Sequence, residues 1–379
     1  MFLKKLSKSL TLPLTLLFEH LFHFGCVPQP WRLAHITPVF KKGDPTLPSN
    51  YRPISLTSIC CKVMETLIKE HIMFYLLEKK LISKQQHGFM SRRSTCTQLL
   101  ECVNDWGIAI KNDLSVDVIY VDYSRAFDSV VHSKLLHKLQ AYGFHGALLD
   151  WIAAFLTGRK QNVVLNRCHS EYHDVLSGIA QGSVLGPVFF ILFVNDIADL
   201  FGPDTICKLF ADDVKLYSVL SNDIANNGLQ GAIDLLVTWS ATWQLQVNPL
   251  KCNLLHLGKH NPGSQYHIEK SAIEGPTHLA DLGVEMDQLL KYNFHIDNII
   301  SKAYQRIAVL FKGFTSRDPK LLTRAYTTYV RPILEYCSQV WSPSLLKDIN
   351  ALERVQRYFT EKSMASPHSV TLSGCVFLA

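Results

Sequence analysis

Three aspartates are placed to share a metal: Asp122 and the adjacent pair Asp212-Asp213. Neighbouring carboxylates repel one another, and a turn that keeps them together costs stability unless a cation offsets the charge. Magnesium suits such a turn, because it takes carboxylate oxygens together with phosphate oxygens and water. Asp122, far earlier in the chain, supplies a third carboxylate, enough to hold two ions roughly 3.5 to 4 Å apart for phosphoryl displacement. An isolated Asp-Asp dipeptide is more often a solvated turn, so the flanking elements must carry the argument.

Those elements favour a built site. The run Val116 to Val121 is apolar except for Asp117 and stops at Asp122, as a buried strand stops at a rim. Ile206 to Phe210 and Val214 to Val219 flank Ala211-Asp212-Asp213 and predict a β-hairpin with the acids at its tip. Between them, Ser177-Gly-Ile-Ala-Gln-Gly-Ser183 is a small-residue loop of the kind that lets backbone approach a ligand. It leads into a predicted helix over Val184 to Leu200, with Ser183 as N-cap and Pro187 in the first turn.

Elsewhere the pattern is mixed α and β, with no long repeat. Trp31 to Phe40 reads as β-prone and is broken by the turn Lys41-Lys42-Gly43-Asp44-Pro45. A helix is predicted around Cys61 to Glu78, with Val63, Leu67, Ile72, Leu76 and Leu77 as its apolar face. Val131, Leu135, Leu136, Leu139 and Tyr142 predict a helix stopping at Gly143, and Ala147 to Thr157 a second stopping at Gly158. Ile299 to Phe359 is mostly helical by pattern.

Composition sets the outer limits. A chain of 379 residues, 47% hydrophobic and 18% charged, is ordinary globular material of two to three domain-sized units. The net charge of +6 helps a surface meet polyphosphate without identifying a partner. Ten cysteines lie scattered without zinc-knuckle spacing and read as reduced thiols of a reducing compartment. Lys4 and Lys5 precede a Leu-rich stretch that Pro13 and Thr15 interrupt, so Met1 to Phe24 reads as an amphipathic helix rather than a signal peptide. No apolar run reaches the roughly 18 residues of a membrane span, and the expected location is intracellular, nuclear or cytoplasmic.

The segments Tyr120-Val-Asp-Tyr-Ser-Arg-Ala-Phe-Asp-Ser-Val130 and Phe210-Ala-Asp-Asp213 resemble the two metal-binding motifs of reverse transcriptases, in particular the non-LTR retrotransposon branch. Five more segments follow the family's order: Asn50-Tyr-Arg-Pro-Ile-Ser-Leu56, Gln86-His-Gly-Phe89, Ser177 to Pro187, Asn248-Pro-Leu-Lys-Cys252 and Leu282-Gly-Val284. Tyr329 to Trp341 and Leu352 to Arg357 resemble the thumb-side segment of jockey-like elements. The resemblance runs from about Gly25 to Thr360 and implies an α+β right-hand polymerase fold. Its expected parts are an N-terminal helical extension (1–30), fingers (31–115, with 129–175 joining fingers to palm), a palm of antiparallel sheet and packed helices (116–290), a helical thumb (291–360) and an unstructured tail (361–379).

What the resemblance implies chemically is an RNA-directed DNA polymerase extending a primer 3′-hydroxyl. Its partners would be an RNA template, a DNA primer or target DNA, and deoxynucleoside triphosphates, with two Mg²⁺ ions and Mn²⁺ as a substitute. Asp122 and Asp212 would bind metal with the carbonyl of Tyr123, and Asp213 would complete the trio. Phe127 falls where the family places a ring against the nucleotide sugar, although an aromatic packed in the core reads the same way. Gln181 and Gly182 would lie against nucleotide and template, Lys41, Lys42 and Arg52 would grip the triphosphate, and Lys251 would sit near the pyrophosphate. The sequence does not choose between Lys41 and Lys42. Lys302, Arg306, Lys312, Arg317, Lys320 and Arg324 would track a duplex backbone, or else form a charged solvent face.

Ala180 stands where the family usually has proline, and Arg125 where lysine is common. The sequence also lacks the endonuclease and the Cys/His-rich segment of complete elements, which reads as a truncated copy. Two rivals follow: a catalytically silent remnant that still binds nucleic acid, and an RNA-dependent RNA polymerase. Phe127, and Ala211 in place of the glycine usual in those enzymes, argue against the second.

Overall fold

Ser115–Val121 becomes an inner strand of a four-stranded antiparallel sheet in the computed structural model, which describes residues 2–220, 227–316 and 318–364. It pairs with Asp213–Leu220 on one side and with Asn253–Leu257 on the other, while Ile206–Phe210 closes the predicted hairpin on the outer side of Asp213–Leu220. Side chains alternate across a strand. Val116 and Val118 therefore enter one core with Tyr217, Leu255 and Leu257, and Ile119 and Val121 enter another with Leu209, Val214 and Leu216. A sheet covered on both faces explains a strand that is apolar at nearly every position. Its exception, Asp117, is wholly buried and accepts hydrogen bonds from His256 Nδ1 (2.7 Å), Asn261 Nδ2 (2.8 Å) and Tyr266 OH (2.7 Å). A buried carboxylate with that many donors is satisfied, and it fastens the 256–266 segment to the sheet.

A second sheet stands beside the first. Leu33–Phe40 pairs antiparallel with Tyr51–Leu56 across the 41–50 turn, and parallel with Lys160–Leu165, onto which Cys168–His169 and His173–Asp174 fold back. The helices between the parallel strands make the crossover that such a pairing needs.

The helix Ile59–Glu78 buries Cys61, Met64, Glu65, Ile68, Ile72 and Leu76, whereas Val63, Leu67 and Leu77 of the predicted apolar face are exposed. Both stripes are apolar, so spacing cannot choose between them. Glu65 does, because its Oε2 accepts from the backbone N–H groups of Val184 (2.7 Å) and Leu185 (3.1 Å) and must face that helix start. The helix expected over Val184 to Leu200 is shorter, Gly186–Val194, and passes into a 3₁₀ turn over Asn195–Asp199. The N-cap is Leu185 rather than Ser183, because the helix starts later, although Ser183 Oγ accepts from Gly186 N–H at 2.9 Å. His132–Ala141 and Gly146–Leu156 form as predicted.

Ser7–His23 is helical despite Pro13, and buries only Phe18 and Leu21. At the other end, Asn293–Gly313, Pro319–Tyr329, Arg331–Glu335, Ser338–Trp341 and Leu346–Met364 make a helical unit. Ile296, Ile299, Ala303, Ile307 and Leu310 line the inner face of its first helix. The last helix takes in residues 361–364, and the remainder of the segment expected as a tail lies outside the described residues, as does Arg317. Among the described residues no helix is long and apolar enough to cross a membrane, and the nine cysteines they contain are free thiols.

Candidate active site

The rung that pairs Val121 with Val214 leaves the next residues, Asp122 and Asp213, facing across the end of the sheet, with Asp212 in the turn beside them. Asp122 is held by the segment that follows Gln246. Asn248 N–H donates to the Asp122 carbonyl at 2.8 Å, and the Asp122 N–H donates to Cys252 Sγ at 3.5 Å. Ser124 N–H donates to the Gln246 carbonyl at 2.8 Å. The bridge between Tyr123 and Val247 is closed by these neighbours and does not use Tyr123's own carbonyl. Asn248 and Cys252 lie in a motif noted above, but nothing in their spacing says that they fix Asp122.

The electrostatics of the acidic turn are strained. Burial, then the charges of Asp212, Asp281 and Asp122, push the Asp213 carboxyl up to about 6. Asp212 is also raised, by burial first and then by Asp122, against the opposing pull of Lys41 and Arg52. Asp122 Oδ1 is a buried atom with no hydrogen-bond donor. Lys251 Nζ stands 3.7 Å from it, inside ion-pair range but beyond a hydrogen bond. Two carboxyls made hard to ionise and one unsatisfied oxygen form an all-oxygen set that suits a hard divalent ion.

The set is nonetheless open. Among the described residues no group of three or more His, Cys, Asp or Glu side chains is placed to hold a metal ion by itself. Magnesium tolerates this, since it commonly keeps several waters and takes one or two carboxylates together with substrate phosphates. Beneath Asp213, Lys215 is buried in an ion pair with Asp281, to which Tyr120 OH also donates at 3.2 Å. The ammonium thus lies on the same strand face as Asp213, two residues along, and lowers its carboxyl.

The small-residue loop threads between the second sheet and the 127–130 segment. Gly182 has φ +122°, and a Cβ there would stand 2.6 Å from the Ser55 carbonyl oxygen. Gly178 has φ +86°, and its Cβ would strike the Asp128 backbone. The glycines therefore permit close approach to protein backbone on both sides, a requirement distinct from ligand contact. Ser55 N–H donates to the Gln181 carbonyl at 2.7 Å, and Gln181 Nε2 donates to Asp128 Oδ1 at 3.2 Å. A cavity of about 860 Å³ opens beside this loop against the second sheet, with Tyr51, Ser55, Arg125, Asp128, Gln161 and Gln181 among its walls. Asp122, Asp212 and Asp213 are not among its walls.

Phe127 is half-buried and stacks on Phe190, with ring centroids 4.3 Å apart and planes 17° from parallel. It packs against the core without being fully buried. Lys41 and Arg52 lie near enough to Asp212 to influence it, and both are exposed, as is Lys42 on the same turn. Lys302, Arg306, Lys312, Lys320 and Arg324 are all exposed on the thumb helices, and Lys302 and Arg306 sit one turn apart on one face.

An antiparallel sheet with acids at the end of its inner strand and at an adjoining hairpin, flanked by a second sheet and a helical unit, defines a polymerase palm with fingers and thumb. The family model for reverse transcriptase (RNA-dependent DNA polymerase) matches residues 39–296, and the chain belongs to that family. It is 28% identical over 365 residues to the "Probable RNA-directed DNA polymerase from transposon X-element" of Drosophila melanogaster, and 26% identical over 366 residues to the "RNA-directed DNA polymerase from mobile element jockey" of the same fly. Each match covers 93% of this chain, and the chain spans 40% of the length of those curated relatives. Among solved structures, the apo telomerase of Candida tropicalis shares the fold at a TM-score of 0.52 and 12% identity, covering 94% of this chain and 63% of the telomerase chain.

Proposed function

We propose that this chain extends a primer 3′-hydroxyl along an RNA template with deoxynucleoside triphosphates, as an RNA-directed DNA polymerase. The observation that carries the reading is the unsatisfied Asp122 Oδ1 at the strand end beside the raised carboxyls of Asp212 and Asp213, on which the Asp122 charge acts. The relatives' names, RNA-directed DNA polymerases of mobile elements, support it. Asp122, Asp212, Asp213 and the Tyr123 carbonyl would hold two Mg²⁺, or Mn²⁺ in their place. Bound there, the ions supply Lewis acidity to the attacking hydroxyl and charge neutralisation to the departing pyrophosphate.

The remaining work falls to the protein's own groups. Lys41 and Arg52, which already influence Asp212, draw the triphosphate down from the fingers, and Lys41 is favoured over Lys42 for that contact. Lys251 Nζ, at the Asp122 rim, offers a proton to the departing pyrophosphate oxygen. The Phe127 ring meets the sugar and excludes a 2′-hydroxyl. Gln181 and Gly182 present the loop backbone to the base pair. Lys302, Arg306, Lys312 and Arg324 track the product duplex through its phosphates. The free thiols fit a nuclear or cytoplasmic setting.

Primer extension on an RNA template tests this. The wild-type chain should add deoxynucleotides in Mg²⁺, and Asp212→Asn should lose about a hundredfold to a thousandfold in rate, as loss of a transition-state electrostatic partner does. Equal extension by the two proteins would refute the reading. Phe127→Val should admit ribonucleotides, and an unchanged sugar preference would remove Phe127 from that role.

A further inference from the structure

The motif Gln86-His-Gly-Phe89 has no part in the mechanism above, yet its backbone and side chains converge on the acidic turn. Leu209 N–H donates to the Gln85 carbonyl (3.0 Å), and His87 N–H donates to the Leu209 carbonyl (2.8 Å), so residues 85–87 lie as a short parallel rung along the hairpin's outer strand. The rung is pinned from behind. Arg93 Nη1 donates to the carbonyls of Lys84 and Gln86, His87 Nε2 meets Glu101 Oε1 at 3.2 Å, and Glu101 Oε2 accepts from Lys208 Nζ at 2.7 Å.

From this fixed base Gln86, with 0% of its surface exposed, reaches the turn. Its Oε1 accepts from Gly88 N–H at 2.8 Å and from Ala211 N–H at 3.0 Å. Ala211, the residue before Asp212, has φ +57°. Residues other than glycine rarely adopt that left-handed conformation, which persists only where the surroundings enforce it. Gly88 supplies the enforcement by contact. A Cβ on it would lie 2.4 Å from Ala211 N and 3.0 Å from the Phe210 carbonyl carbon. Backbone on both sides leaves neither partner a way to yield, so only glycine fits.

We propose that Gln86 and Gly88 are positioning residues of this polymerase: together they hold Ala211 in its left-handed conformation and thereby aim the Asp212 and Asp213 carboxylates. Neither touches substrate, and their effect passes entirely through the Ala211 backbone. The role assumes the metal-site reading above, but it predicts a backbone property that can be measured without catalysis.

The test uses Gln86→Met, which keeps length and apolar bulk but removes the acceptor, and Gln86→Glu, which keeps an oxygen where Ala211 N–H needs one. Hydrogen exchange is followed in the metal-free full chain, and Mn²⁺ affinity is measured by titration of the free ion. Gln86→Met should speed exchange at the Ala211 amide about fivefold to tenfold, the worth of one such hydrogen bond. It should weaken Mn²⁺ binding severalfold and lower kcat for primer extension with little change in KM for nucleotide. Gln86→Glu should keep most of the Ala211 protection.

Unchanged Ala211 exchange in Gln86→Met would overturn the proposal. So would equal loss in Gln86→Glu, or loss of protection spread across the whole palm, since either assigns Gln86 to general packing. If Ala211 protection depends on the Gln86 acceptor but Asp212→Asn extends primers as well as wild type does, the positioning stands and the polymerase reading falls.

Discussion

Asp213 carries an internal conflict that can be measured. Its carboxyl is pushed up to about 6, chiefly by burial. A raised folded-state pKa means that its contribution to the metal-free fold is fully present below the ordinary value of 3.8 and is lost as pH rises through about 6. At neutral pH the ionised group therefore opposes folding, and a bound cation relieves it. Asp213→Asn should raise metal-free stability at pH 7.5 by about 1 kcal/mol or less, a figure kept small because the residue is exposed and screened. The gain should shrink towards pH 4, and urea melts in EDTA at the two pH values check both points. At this scale the acids themselves were legible, because strand-end placement and neighbouring motifs marked Asp122, Asp212 and Asp213. Gln86, Asn248 and Cys252 were visible only as motif members. Their work consists of hydrogen bonds to the backbone of residues distant in sequence, and such pairings are set by the fold rather than by spacing.

Between elements, the joint of the helix Asn293–Gly313 with the strand Val284–Asp287 depends on a histidine that must stay neutral. His295, at the start of the first thumb helix, accepts from Glu285 N–H through Nδ1 at 3.2 Å and packs edge-on against Trp341. Burial, with Lys302 adding to it, lowers its pKa to about 4. The lowered value makes its contribution fully present above 6.5 and lost as pH falls through about 4, where a protonated Nδ1 would face a donor with a donor. His295→Gln offers an uncharged acceptor, so its acid-unfolding midpoint, followed by circular dichroism, should fall below that of wild type. A midpoint that does not move would remove His295 from the joint. Element type was easier to read than element facing. Ile59–Glu78 is helical as expected but is apolar on two stripes, and the demand of Val184 and Leu185 for a buried acceptor at Glu65 decided which one turned inward. The helix after Ser183 ended early because Asn195 leaves the α-helical ladder: its Nδ2 donates to the Leu81 carbonyl (2.9 Å) and its Oδ1 accepts from Ser83 N–H (2.8 Å), tying the 3₁₀ turn to a distant loop.

Across the whole molecule, two cores lie on opposite faces of one sheet, and only the ends of its strands emerge to carry acids. The alternation that creates this arrangement was readable for each strand, while the side-by-side order of the strands was not, because it rests on partners drawn from distant parts of the chain. Charge follows a similar division. A net +6 is modest, and the proposed template and product tracks need local excess more than total charge. Lys302 and Arg306, exposed on one face of the first thumb helix, offer such an excess close to the joint at His295. If both contact phosphates, neutralising them together should lower affinity for a primer–template duplex of any sequence. It should also reduce the slope of log affinity against log salt by nearly 2, at roughly 0.9 per lost contact on B-form DNA and somewhat different on a hybrid duplex. Fluorescence anisotropy across a salt series measures both quantities. An unchanged slope would place these two cations on a solvent face and shift the duplex track to Lys312 and Arg324.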